Sequence, residues 1–216
     1  MILDEIEKMR NEKDIQIRTY GSFNRSNTNS TLVSVIVRSY NGERFILDAL
    51  NSILETHWRP IEIIILYDRS STDMTHIKIA KFIEEHKQDE DLMIKLIVHD
   101  RMSAFRALLV GLNNVESSSK YIFFLDYDNI FYPNKIKEQV EFMKRNNLPF
   151  SFSNQYIIDE NGKILGLFLP KPPKIDLKKE IERNFIDTNT ICISSEFLPS
   201  LLKYLNALQD ETFDWI

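Results

Sequence analysis

Four apolar runs, each followed by a segment of helical period, constrain this chain more than any other feature. They are "LVSVIVRSY" (32–40), "IEIIILYD" (61–68), "MIKLIVHD" (93–100) and "KYIFFLDYD" (120–128). Each is apolar almost throughout instead of alternating, as parallel strands covered on both faces are. Between them lie "NGERFILDALNSILETH", "SSTDMTHIKIAKFIEEHKQ" and "SAFRALLVGLNNVES". In the first, Phe45, Ala49, Leu50, Ile53 and Leu54 fall on one side, the spacing of an amphipathic helix. Asn41 and Ser71 are expected to cap the first two helices, with Asp73 in the first turn of the second. Strands alternating with helices predict an α/β fold around a mostly parallel central sheet.

The ends of the chain read differently. Residues 2–13 predict a short helix with Ile2, Leu3, Ile6 and Met9 near one face, and "TYGSFNRSNTNST" after it reads as a linker or extended arm. Beyond the fourth strand come a helix entered near Pro133, a hairpin turning at Glu160-Asn161-Gly162, a loop "KPPKIDLKK", a strand "NTICIS" and a last helix with Pro199 in its first turn. This mixed half belongs to the same domain: 1–30 is an N-terminal helix and arm, and 31–216 a single domain.

Composition narrows the function classes. The net charge of −5 gives no bulk attraction to nucleic acid, and no nucleic-acid partner is expected. The single cysteine, Cys192, excludes a disulfide scaffold, fits a reducing compartment and reads as a small buried side chain. The first residues lack the apolar core of a signal peptide, and no run approaches the ~18 apolar residues of a spanning helix, so a cytoplasmic protein is expected, with peripheral membrane contact left open. The five glycines form neither GxGxxG nor a P-loop. His57, His76, His86 and His99 lack metal-ligand spacing and read as surface or packing residues.

Chemistry gathers where the strands end. Open parallel sheets bind ligands outside the carboxyl ends of their strands. Here those ends are Arg38-Ser39-Tyr40-Asn41, Asp68-Arg69-Ser70, His99-Asp100-Arg101 and Asp126-Tyr127-Asp128-Asn129. Carboxylates at i and i+2 point to opposite faces of a regular strand, but both reach one ion if the chain turns there. Oxygen ligands suit Mg²⁺ or Mn²⁺, and magnesium takes only one or two carboxylates when phosphate oxygens and water complete its shell. Asp126 and Asp128 therefore suit a cation shared with a diphosphate, or else simply close a strand-end turn.

"VSVIVRSYNGERFILDALNSIL", "IEIIILYDRSSTD" and "YIFFLDYDNIFYPNKI", in this order, resemble the nucleotide-binding half of the family 2 glycosyltransferases of the GT-A fold. The likeness covers residues 32–145 well and the remainder loosely. It implies a Rossmann-like sheet flanked by helices, with a nucleotide-binding half (31–135) and an acceptor half (136–216). By position it implies that Arg38, Ser39 and Tyr40 line the base pocket and that Asp68 hydrogen-bonds the base. It places Arg106, with Arg101 as the second choice, against the nucleotide. Asp126 and Asp128 match the DxD motif, the first facing ribose or metal-bound water and the second ligating Mn²⁺ or Mg²⁺. "QDETFDWI" resembles the late acidic segment and offers Glu211 or Asp210 as general base. The chain departs from the family pattern at Tyr67-Asp68, where two acids are common, at the missing glycine of "DRSSTD", at Asn129, and in the reversed order of Asp210-Glu211.

The resemblance implies an inverting, metal-dependent hexosyltransferase-like enzyme that moves a sugar from a UDP- or GDP-sugar to a carbohydrate or other hydroxyl acceptor, as a monomer or homodimer. Two other readings stay open on the residues: a nucleotide-sugar-binding protein of the same fold without turnover, and a nucleotidyltransferase.

Overall fold

The computed structural model describes residues 1–23, 31–168 and 186–209. In chain order the elements are α1 (Ile2–Arg10), β1 (Gln16–Ser22), β2 (Val33–Ser39), α2 (Ile46–Leu54), β3 (Ile61–Asp68), α3 (Thr75–His86), β4 (Leu92–His99), α4 (Ala104–Asn113) and β5 (Tyr121–Asp126). Then follow α5 (Lys135–Asn146), β6 (Phe150–Phe152), β7 (Gln155–Ile158), β8 (Ile164–Phe168), a 3-10 turn (Thr188–Thr190), β9 (Ile191–Ser194) and α6 (Leu198–Gln209). No helix among the described residues is long and apolar enough to cross a membrane.

The main sheet runs β1-β4-β3-β2-β5-β9-β6, with β7 and β8 forming a separate hairpin. The four apolar runs are its parallel centre, β4-β3-β2-β5. From β2 the chain moves outward through β3 and β4, then returns to lay β5 on the other side of β2. The strand order thus reverses between β2 and β5, which opens a crevice at their carboxyl ends. β9 and β6 extend the sheet in antiparallel steps beyond β5, giving the mixed second half.

Side-chain alternation divides the sheet into two faces. Val33, Val35 and Val37 of β2, Ile63 and Ile65 of β3 and Phe123 and Leu125 of β5 pack in one core with α1, α2, α3 and α5. Ile36, Ile64, Leu66, Ile97, Ile122 and Phe124 form the other with α4 and α6. Each such side chain contributes about 1.5–3 kcal/mol when fully buried. Gly111 lets α4 approach: a Cβ there would stand 2.7 Å from Ile36 Cγ2.

Three local expectations are corrected. The stretch expected as a linker or extended arm begins, over residues 19–22, as the second half of β1, which pairs from Gln16 to Ser22 along β4 as an antiparallel edge strand. Otherwise β4 would present unpaired backbone at the sheet edge. Asn41 and Ser71 do not cap helices. Asn41 sits at φ 49° and its Oδ1 accepts from the Thr72 amide, while Ser71 Oγ donates to the Asp68 carbonyl at 2.7 Å. Asp73 lies before α3, accepting from the Thr75 amide at 3.1 Å and from the Glu43 amide at 2.9 Å.

A half-buried lysine fastens the mixed half. Lys135 Nζ donates to Gln139 Oε1, Ser153 Oγ and the Thr190 carbonyl at 2.7, 2.8 and 3.0 Å. Burial pulls its pKa down to about 8, against the opposing pull of Cys192 and Asp187.

Candidate functional site

Alternation decides which strand-end groups meet. Arg38, Asp68, His99 and Asp126 stand two residues beyond Ile36, Leu66, Ile97 and Phe124 on their strands, so all four rise from the α4 face. Arg38 is directly across from Asp126, and Asp68 from His99. They share a cleft of about 320 Å³ with Ser39, Tyr40, Arg101, Tyr127 and Asp128. A larger cavity, about 620 Å³, lies at the opposite end of the strands beside Lys120 and Lys144 and holds none of these groups. The strand-end chemistry identifies the smaller cleft as the candidate site.

At the switch point Arg38 Nε donates to Asp126 Oδ1 at 2.8 Å and Nη2 to Oδ2 at 2.9 Å. This is the two-pronged geometry that suits guanidinium and carboxylate. The same aspartate is gripped from the other side by Asn189. Asn189 Oδ1 accepts from the Asp126 amide at 2.6 Å, and its Nδ2 donates to Asp126 Oδ2 at 3.2 Å and to Asp187 Oδ1 at 2.8 Å. The β5–β9 ladder stops at Phe123 and Cys192. The Asn189 side chain takes the place of a backbone partner where that ladder has ended.

β5 ends at Asp126 and the chain turns at once, with the Asn129 amide bonding the Asp126 carbonyl at 3.0 Å. That turn brings Asp128 to the same cleft. Asp128 is exposed, and among the described residues its Oδ1 accepts from Asn129 Nδ2, at 3.0 Å. Burial, reinforced by the Asp128 and Asp126 carboxylates, raises the Tyr127 phenol.

The far wall is built on β3 and β4. Asp68 Oδ1 accepts from the Ser70 amide and hydroxyl at 2.9 and 2.6 Å, leaving Oδ2 for Arg101 at 3.5 Å. The Arg101 guanidinium lies 3.8 Å from the Tyr40 ring centroid. Arg106 is exposed and does not line the cleft. Ala104 and Ala107 present the cleft-facing side of α4, and Arg106 is turned about 100° per residue away from it. Of the two arginines expected against the nucleotide, Arg101 lines this wall and Arg106 does not.

The donor set can be weighed against a divalent cation. Among the described residues no three His, Cys, Asp or Glu side chains converge. Asp128 keeps free oxygen, whereas both Asp126 oxygens are engaged by Arg38. One free carboxylate with a second beside it fits a hard cation whose remaining ligands are water and phosphate oxygens. Glu211 and Asp210, the expected bases, lie outside the described residues. Sequence reasoning missed Asn189 and Asp187, whose only local signal is the polar "DTNT" before an apolar strand.

A family model described as glycosyl transferase family 2 matches residues 34–205, from the start of β2 into α6. The chain belongs to glycosyl transferase family 2. An Escherichia coli relative, the UDP-Glc:alpha-D-GlcNAc-diphosphoundecaprenol beta-1,3-glucosyltransferase WfgD, is 31% identical over 170 residues, 77% of this chain and 62% of that protein. The chain thus spans less than two thirds of this relative's length. Among solved structures, S. aureus TarS 1-349 in complex with UDP-GlcNAc superposes with a TM-score of 0.59 at 20% identity, over 79% of this chain and 47% of that one. The mannosyltransferase PcManGT of Pyrobaculum calidifontis, in complex with GDP-Man and Mn²⁺, gives 0.58 at 17% identity, over 91% of this chain and 52% of that one. These likenesses establish the GT-A glycosyltransferase fold for this family 2 chain.

Proposed function

We propose that the chain is a glycosyltransferase that moves a sugar from a UDP- or GDP-sugar to an acceptor hydroxyl, with inversion and with the help of a divalent cation. The observation that carries this reading is the convergence of Asp68, Tyr40, Arg101, Arg38, Asp126 and Asp128 on one cleft at the switch point of a parallel sheet. In this scheme Asp68 and the Tyr40–Arg101 wall receive the base. Asp128 holds the cation, Mn²⁺ or Mg²⁺, with Asp126 beside it; the cation would offset charge on the departing diphosphate. Arg38, facing the same space, adds positive charge there while it keeps Asp126 in place. A carboxylate of the acceptor half takes the proton of the attacking hydroxyl, with Glu211 and Asp210 the candidates.

The acceptor we favour is a saccharide carried on a lipid diphosphate. The activity in the name of the E. coli relative supports it, and so does the apolar exposure of the β7–β8 hairpin, where Tyr156, Ile164 and Leu165 are 55, 58 and 63% exposed. The hairpin turn is tied to the start of α2 by the Arg44–Glu160 ion pair, 2.6 Å.

A thermal-shift panel of UDP- and GDP-sugars, with and without Mn²⁺, tests the donor. Stabilisation by one nucleotide class that requires Mn²⁺ and disappears in Asp128→Ala is expected. Equal metal-dependent stabilisation in Asp128→Ala would rule out the assigned cation site.

A further inference from the structure

The matched family region begins at residue 34, so α1 and β1 lie outside it. They are nevertheless bound to the wall that carries Asp68. Ile6 and Met9 of α1 are fully buried in the core beneath β3. From the last turn of α1, Arg10 Nη2 donates to the Ser71 carbonyl at 3.2 Å, and Nη1 bonds His76 Nε2 at 3.1 Å. Its guanidinium lies 5.9 Å from the Tyr67 ring centroid. Arg69 reaches back from the same loop to the Asp14 carbonyl.

The residue that Arg10 holds is the one that joins two strand ends. The Ser71 amide bonds the Asp68 carbonyl at 3.0 Å, and the Ser71 hydroxyl donates to that carbonyl at 2.7 Å. The same hydroxyl accepts from the Asn41 amide at 3.2 Å, and Asn41 Oδ1 accepts from the Thr72 amide at 2.8 Å. Residues 68–72 and 40–41 therefore form one hydrogen-bonded unit. Its inner side presents Asp68 and Tyr40 to the cleft, and its outer side rests on Arg10.

We infer that Arg10 is a positioning residue for the donor cleft: α1 is a strut that holds the 68–72 loop, and through it Asp68 and Tyr40, in the shape that receives a nucleoside diphosphate. The inference rests on the transferase reading for its ligand. It does not rest on any contact of Arg10 with the cleft, which Arg10 does not line.

The test compares Arg10→Met with Ile6→Ala in the full chain. Ile6→Ala removes core packing of α1 and leaves the Arg10 hydrogen bonds to the loop in place. Three quantities are measured: amide hydrogen exchange at residues 70–72 without ligand, the Kd of UDP and of GDP with Mn²⁺, and Tm. Arg10→Met is expected to speed exchange at 70–72 and weaken nucleotide binding about three- to tenfold, the size of one lost hydrogen bond. Ile6→Ala is expected to lower Tm at least as far and leave Kd within about twofold, since it removes no hydrogen bond to the loop. Unchanged exchange or unchanged Kd in Arg10→Met overturns the strut, and so does an equal loss of affinity in Ile6→Ala. Should the wild-type chain bind neither nucleotide, the transferase reading falls, and the exchange comparison still decides whether Arg10 holds the loop.

Discussion

Arg38 and Asp126 stand opposite each other across β2 and β5 and meet through two hydrogen bonds, 2.8 and 2.9 Å long, at the point where the strand order reverses. Both side chains are 26% exposed, so the pair is only partly screened by water. One carboxylate of the proposed cation pair is thus already engaged by a cation of the protein itself. Arg38→Met and Asp126→Asn should each lower kcat/KM by about ten- to a hundredfold, the range of a hydrogen bond between charged groups. The double variant should lose less than the sum of the two single losses, because the two changes share one interaction. Additive losses in that cycle would show that the two residues act separately.

Asn189 bonds both the amide and the carboxylate of Asp126. Asn189→Ala should therefore lower activity by about tenfold. Asn189→Asp should do worse, since it sets a second carboxylate against Asp126 and presents an acceptor where Asp126 needs a donor. Steady-state kinetics on the two variants give the order; an Asp variant as active as wild type contradicts the role.

Arg101 stacks on Tyr40 and approaches Asp68, while Arg106 is exposed and does not line the cleft. Arg101→Ala should weaken nucleotide binding by about three- to tenfold, the loss of a cation–π contact and a long ion pair. Arg106→Ala should leave it within about twofold. Calorimetric titration of both variants with UDP and GDP distinguishes them, and the reverse ranking would return the role to Arg106.

Lys135 gives the folded protein a pH signature. Burial lowers its pKa to about 8, so between about pH 8 and the ordinary lysine value the unfolded chain binds the proton that the folded chain has released. Stability then rises with pH across that interval, by up to about 1.4 kcal/mol per pH unit. Burial raises the Cys192 thiol, which acts in the opposite sense at alkaline pH, so the measurement belongs in a Cys192→Ala background. Urea unfolding from about pH 8 to about pH 10 should show the rise there. The further change Lys135→Met should flatten it.

Gly111→Ala should destabilise the protein by about 1–3 kcal/mol. The added methyl meets Ile36 Cγ2 at 2.7 Å and Leu66 Cδ1 at 3.2 Å, both in side chains that are at most 1% exposed. Denaturant titration reads the loss directly. A neutral result would mean that α4 can move off the sheet without cost.

The sequence by itself determined the parallel core and the end at which its chemistry sits. Apolar residues on both faces of four runs require covering layers on both sides, and the helical segments between them supply those layers. Period-two alternation then sends Arg38, Asp68, His99 and Asp126 to one face, so most of the cleft follows from local pattern. Tertiary structure alone decided what grips those residues. Asn189 meets Asp126 across 63 positions of sequence, from a 3-10 turn ahead of an antiparallel strand whose apolar run is legible but whose pairing partner is not. The polar segment at 16–22 became a strand because β4 had an open edge to fill. Arg101 and not Arg106 entered the cleft because α4 begins at Ala104, and a helix turns each successive side chain by about 100°. Such choices depend on where an element starts and what lies across from it, and those are set by packing between segments far apart in the chain.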